Sequence, residues 1–194
     1  MTKVVVAYHS GFGHTKAIAE SILKGVARVE GIEPTLVNVD DLGAPDQEFK
    51  LGPEWDVLHQ ADGIIMGSPT YMGTVSAGFK RFMDSCGAIW LTQAWRDKVA
   101  AGFTNGGALS GDKLNTLTSL SIFASQLSMI WISQGVHMDS ENGLNRMGSY
   151  HGFMAQSEEA APDQTPPKED HATAELFGER VARATLQWVT GRPS

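Results

Sequence analysis

Tyr8-His9-Ser10-Gly11-Phe12-Gly13-His14-Thr15 joins an apolar run to an amphipathic repeat. Upstream, Val4-Val5-Val6-Ala7-Tyr8 is rich in β-branched residues and uninterrupted, the pattern of a parallel strand buried on both faces. Downstream, Ile18, Ile22, Val26 and Val29 recur at helical spacing, and Gly31 offers a C-cap. Strand, polar turn and helix in this order bring unpaired backbone N–H groups and the positive end of a helix dipole to the turn, which suits a phosphate. Ser10 and Thr15 add hydroxyl donors, while Gly11 and Gly13 allow close approach of the backbone.

The same alternation continues along the chain. A second strand is expected at Thr35–Val39 after a turn marked by Gly31 and Pro34, then an irregular surface connection over 41–54 and a short helix at Trp55–Gln60. Ile64-Ile65-Met66-Gly67 reads as the third strand and Ser68–Thr74 as the loop beyond it. A helix follows over Ser76–Cys86, with Phe79, Phe82, Met83 and Cys86 on one face. Val99–Phe103 reads as the fourth strand, with Thr104–Gly111 as its loop. The next helix takes Asp112 or Ser110 as its cap and Leu114, Leu117, Leu120, Ala124 and Leu127 as its stripe. Met129–Ser133 reads as the fifth strand, and Ala172–Thr190 as the final helix. Loops that follow strands directly lie at the carboxyl edge of an open α/β sheet, where such sheets bind ligands.

Between these elements, residues 134–167 lose periodicity and form an extended loop. Gly143–Met154 carries Arg146, Tyr150, His151 and Phe153, side chains able to make contacts, whereas Ser157–Lys168 reads as a flexible linker. With 194 residues, of which 42% are apolar and 19% charged, the chain suits a single domain spanning 1–194. The net charge of −7 gives no electrostatic support to nucleic-acid binding. Cys86 is the single cysteine, which excludes an internal disulfide framework and fits a reducing compartment. No apolar run is long enough to span a membrane, so a cytoplasmic protein with no membrane partner is expected.

Two phosphate-binding fingerprints are absent. The dinucleotide pattern fails because Lys16 stands where its third glycine belongs, and no glycine precedes a lysine–hydroxyl pair at the spacing of a P-loop. A hydroxyl-rich turn at a helix start remains, suited to a monophosphate held by backbone N–H groups. The other loops suit a flat heterocycle: Tyr71, Met72 and Trp90 offer walls, and Thr70, Gly73, Asn105 and Gly107 offer polar edges.

Ser10-Gly11-Phe12-Gly13-His14-Thr15, Gly67-Ser68-Pro69-Thr70-Tyr71-Met72-Gly73 and Thr104-Asn105-Gly106-Gly107, in this order, resemble the flavodoxin-like NAD(P)H:quinone oxidoreductases, the family of the Trp-repressor-binding protein. The resemblance covers nearly the whole chain. It implies a flavodoxin-like doubly wound α/β fold with a five-stranded parallel sheet in the order 2-1-3-4-5. It also implies non-covalently bound FMN, with the phosphate at Ser10–Thr15, the isoalloxazine ring against Pro69–Gly73, and Thr104, Asn105, Gly106, Gly107, Ser110 and Gly111 closing the other side. NAD(P)H is then the co-substrate and a quinone the acceptor, in a homodimer or homotetramer. Flavin reduction with release of reduced FMN and flavodoxin-type electron carriage are the alternatives. Because the flavin carries the hard chemistry, no catalytic side chain or metal is required.

The chain departs from the best-known members at two places. Tyr71 and Met72 stand where those members have an arginine and an aromatic residue, and Gln126-Leu127 where they have a histidine pair. The roles of those residues do not carry over. His14 reads equally as a phosphate or ring-edge ligand and as a solvated first-turn residue. His137, Asp139 and His151 match no metal-ligand spacing. Cys86 reads as a buried inert thiol, Trp131 and Trp188 as core, and Trp90 as either a wall of the flavin site or a subunit contact.

Overall fold

In a computed structural model that describes residues 1–191, β1 (Thr2–Tyr8) leads through the Ser10–Gly13 turn into α1 (His14–Ala27). The chain continues through β2 (Ile32–Asn38), α2 (Asp56–His59), β3 (Gly63–Tyr71) and β4 (Thr74–Val75). Next come α3 (Ala77–Ser85), α4 (Gly87–Thr92), β5 (Val99–Gly106) and α5 (Lys113–Gln126). Last are β6 (Ile130–Trp131), β7 (Phe153–Gln156) and α6 (Lys168–Thr190). The sheet runs β2-β1-β3-β5-β6 with parallel pairing throughout this path.

Alternation along β1 explains its unbroken apolar run. Val4 and Val6 pack with Ile18, Ile22 and Val26 of α1 and Phe177 and Val181 of α6, while Val5 and Ala7 pack toward Phe79 and Phe82 of α3 and Leu117 and Leu120 of α5. Both faces are therefore covered, as a parallel sheet requires. On one face α1 and α6 cross closely at glycines: a Cβ on Gly25 would lie 1.9 Å from the Glu175 carbonyl oxygen, and one on Gly178 would lie 2.1 Å from that of Ile22. Among the described residues, no helix is long and apolar enough to cross a membrane.

Several sequence expectations need correction. Pro34 is not a turn residue but lies within β2, opposite Val4, on an edge strand where a missing N–H is tolerated. Ser68-Pro69-Thr70-Tyr71 is not a loop, because β3 runs on through it: Ser68 pairs with Thr104, Pro69 with Asn105, and Thr70 and Tyr71 turn back against Val75 and Thr74. Since β1 ends at Tyr8, opposite Gly67, this extension has an open edge that accommodates the proline. α5 starts at Lys113 without a side-chain cap. Asp112 is left-handed at φ 56° and Ser110 contributes its carbonyl instead, accepting from the Lys113 N–H at 3.1 Å. Leu114 is 58% exposed and outside the buried stripe, and Trp188 is 40% exposed, its indole N–H donating to the Asp97 carbonyl.

The largest difference concerns the fifth strand, which is split. β6 covers the start of β5, residues 132–152 form an insertion, and β7 then pairs with Phe103–Gly106 at the far end of β5. Ser157–Lys168, read as a flexible linker, is packed: Ser157 and Thr165 are buried, and the Thr165 hydroxyl accepts from the Glu158 N–H.

Candidate functional site

Three segments at the carboxyl edge of the sheet build the site, and the first is the Ser10–Thr15 turn. Ser10 Oγ accepts from the N–H groups of Gly13 at 3.0 Å and Lys16 at 3.3 Å, folding the turn over the start of α1. Gly13 caps the helix at φ +93°, a conformation that favours glycine, and a Cβ there would lie 2.8 Å from the Pro162 ring.

The second segment is the β3–β4 hairpin. Met72 and Gly73 both have positive φ, 48° and 81°, the backbone of a type I′ turn whose twist suits a two-residue hairpin. This geometry swings Met72 fully into solvent and brings the Tyr71 hydroxyl over Gly11, where an added Cβ would lie 2.4 Å from it. Tyr71 also meets Phe12 edge to face at 6.5 Å, and burial raises its phenol pKa. Behind the hairpin, Thr70 Oγ1 lies 2.8 Å from both Thr104 Oγ1 and Thr116 Oγ1, a hydroxyl cluster that ties β3, β5 and α5 together.

The end of β5 is the third. Asn105 is buried, and its amide nitrogen donates to Ser157 Oγ at 2.6 Å, but its Oδ1 has no partner. Gly106 accepts from the Ser157 N–H, and Gly107 accepts from Gln156 Nε2 at 2.9 Å. With residues 157–159 these segments enclose a cavity of about 650 Å³, lined by Ser10, Phe12, His14 and Thr15, by Pro69 and Tyr71, by Asn105, Gly106 and Gly107, and by Ser157, Glu158 and Glu159.

The last three residues belong to a wall that sequence reasoning missed. Ser157–Pro162 lies across the phosphate-type turn, with the Ala160 carbonyl accepting from His14 Nε2 at 2.8 Å and Pro162 against Gly13. Nothing in its Ala-, Pro- and acid-rich composition distinguishes it from a linker; the one local signal is Phe153-Met154-Ala155-Gln156 just upstream, a short β-compatible run that anchors it. Gly11, Gly13, Thr70, Thr104, Met72 and Gly73 shape or back the cavity without lining it. Ser110 and Gly111, expected to close the same site, do not reach it: Ser110 lines a second depression with Leu109, Asp112 and Arg146.

Other singled-out residues lie elsewhere. Trp90 is half exposed on α4 and does not line the cavity. His151 stacks on Trp131 and pairs with Ser121, His137 meets Tyr150 edge to face, and Asp139 bonds Asn142. No group of three potential metal ligands occurs among the described residues. Cys86 is buried, with burial pushing its thiol pKa up.

The residues present fit a flavin mononucleotide. Gly11 and Gly13 leave room over the turn for the Tyr71 hydroxyl and the Pro162 ring, the Ser10 and Thr15 hydroxyls on the cavity wall are neutral donors for a phosphate, and the orphaned Asn105 oxygen is a buried acceptor awaiting a donor from a ligand.

A parallel sheet in this order, with an anion-type turn after its first strand and two flanking edges around one cavity, defines the flavodoxin-like class of α/β protein. A family model described as NADPH-dependent FMN reductase matches residues 3–143. The chain is 39% identical over 192 residues to Flavodoxin FldP of Pseudomonas aeruginosa (strain UCBPP-PA14), covering 96% of this chain and 98% of that one. It is 34% identical over 146 residues to Quinone-oxidoreductase QR2 of Triphysaria versicolor, covering 69% and 70%. Among solved structures, a flavodoxin described as a WrbA-like protein from Agrobacterium tumefaciens superposes with a TM-score of 0.74 at 38% identity, covering 96% of this chain and 99% of that one. The chain belongs to the NADPH-dependent FMN reductase family and is a flavin-dependent oxidoreductase.

Proposed function

We propose that the cavity binds FMN and that the protein is an NAD(P)H:quinone oxidoreductase. The observation that carries this reading is the convergence on one cavity of the Ser10–Thr15 turn, the Tyr71 hairpin and the orphaned Asn105 acceptor. In this reading Ser10–Thr15 hold the phosphate, Pro69 and Tyr71 flank the ring, and Asn105–Gly107 meet its polar edge. The bound flavin supplies hydride acceptance from a reduced nicotinamide and two-electron reduction of a quinone. The side chains orient and exclude water: Thr70, Thr104 and Thr116 hold the hairpin to β5, and the Ser157–Pro162 strap covers the phosphate turn.

Electron carriage is the second reading, favoured by the likeness to Flavodoxin FldP over almost the whole chain. Aerobic oxidation of NADH and NADPH, with benzoquinone or free FMN as acceptor, separates the two. Turnover with benzoquinone is the expected result, and turnover with free FMN alone would mean a flavin reductase. Bound flavin without turnover with any acceptor would overturn the enzyme reading and support the carrier.

A further inference from the structure

Lys113 is the first residue of α5, yet its side chain is 1% exposed. Full burial of a lysine is rare and costs several kcal/mol unless the charge is compensated. The position is unfavourable for a second reason, because the positive end of a helix dipole repels a cation. The ammonium donates to the carbonyl oxygens of Ala108 and Leu109, closing the β5–α5 loop around it. Its stem lies directly behind the cavity wall: a Cβ on Gly106 would sit 3.5 Å from Lys113 Cε.

The charges facing Lys113 do not balance it. Asp170 on α6 raises its proton affinity and Arg146 of the insertion lowers it. But Asp170 is already held by Arg146, with Nε to Oδ1 at 2.7 Å and Nη2 to Oδ2 at 2.8 Å, and accepts the Gln156 N–H as well. Two cations share one carboxylate, so the region behind Gly106 and Gly107 keeps one uncompensated positive charge. The cavity itself is lined by Glu158 and Glu159 and by no lysine or arginine.

Resting on the FMN reading above, we propose that Lys113 is a positioning residue that supplies the counter-charge for the reduced flavin, acting through the Gly106–Gly107 wall. Hydride from a reduced nicotinamide brings two electrons and one proton and leaves the ring with a single negative charge, so no further co-reactant is needed. A cation buried behind the wall stabilises that anion over the neutral oxidised ring. Burial lowers the Lys113 pKa from 10.5 to about 8, so the anion's arrival draws a proton onto it above that pH.

The test is the two-electron midpoint potential of bound FMN, measured against a reference dye in wild type, Lys113→Arg and Lys113→Met. Lys113→Met is expected to weaken reduced FMN relative to oxidised FMN about tenfold, the order of one unit charge acting through a low-dielectric wall. That is a fall of about 30 mV for a two-electron couple. Lys113→Arg keeps the wild-type potential. If Lys113→Met does not fold, the wild-type pH dependence decides: reduction takes up one proton per two electrons near pH 7.5, rising toward two above about pH 8. An unchanged potential in Lys113→Met, or one proton throughout the alkaline range, would overturn the inference while leaving the FMN reading intact. A wild type that binds no FMN would overturn both.

Discussion

Gly13 carries two constraints at one Cα. Its φ of +93° disfavours any side chain, and an added Cβ meets Pro162 at 2.8 Å, so a substitution strains the turn and lifts the strap together. Gly13→Val is expected to lower FMN affinity by at least about tenfold, the equivalent of roughly 1.4 kcal/mol and the low end of such backbone strain. Flavin titration checks it, and unchanged affinity would remove the cradle assignment. Cys86 makes a different kind of prediction. Burial raises its thiol pKa above the ordinary 9.0, so the native thiol stays protonated where the unfolded chain ionises. The stability this contributes is intact below about pH 9 and is lost as pH rises beyond it. Urea midpoints of wild type and Cys86→Ala at pH 7.5 and 10 should converge if Cys86→Ala is the less stable at the lower pH, and separate, with wild type the lower at pH 10, if the two start equal. A gap independent of pH would contradict the shift.

Among the elements, the insertion and α6 are joined by the Arg146–Asp170 pair, whose carboxylate is 3% exposed. Removing one partner of a buried pair leaves the other uncompensated, so Asp170→Ala should cost about 3–5 kcal/mol in a urea melt. It should also loosen β7, because Asp170 accepts the Gln156 N–H. A loss below about 1 kcal/mol, the range of an exposed pair, would show that the network is not structural. The elements legible in the sequence were those with long apolar periodicity. Val4–Tyr8, Ile64–Gly67 and Val99–Phe103 declare buried strands, and Ile18, Ile22 and Val26 declare the face of α1. What stayed hidden depends on partners distant in sequence. Pro69 reads as a loop residue until the end of β1 is seen to leave β3 an open edge. Phe153–Gln156 is too short to announce itself as the second half of a strand begun at Ile130. The cavity followed the same rule: the turns after apolar strands were visible, whereas Ser157–Glu159 reach it only because β7 delivers them there. The burial of Lys113 has no signature in the sequence, since it follows from how the β5–α5 loop closes.

For the whole molecule, the sheet acts as a scaffold whose carboxyl edge gathers segments from residue 10 to residue 159 around one cavity. The chain carries a net charge of −7, and two glutamates line the cavity, so a phosphate entering it gains from local dipoles and hydroxyls rather than from a long-range field. Cofactor binding is therefore expected to strengthen as added salt screens the repulsion between the acidic chain and the phosphate, and flavin titration at low and high salt checks it. In the proposed reading, the neutral Ser10–Thr15 turn and the Asn105 edge hold FMN. The most direct test of this reading is the visible absorption spectrum of the protein after saturation with FMN and removal of free flavin by gel filtration. Oxidised-flavin bands corresponding to one FMN per chain, reduced in parallel in Gly13→Val, are the predicted result. A colourless wild-type protein, or one whose bound flavin is unaffected by Gly13→Val, would contradict it.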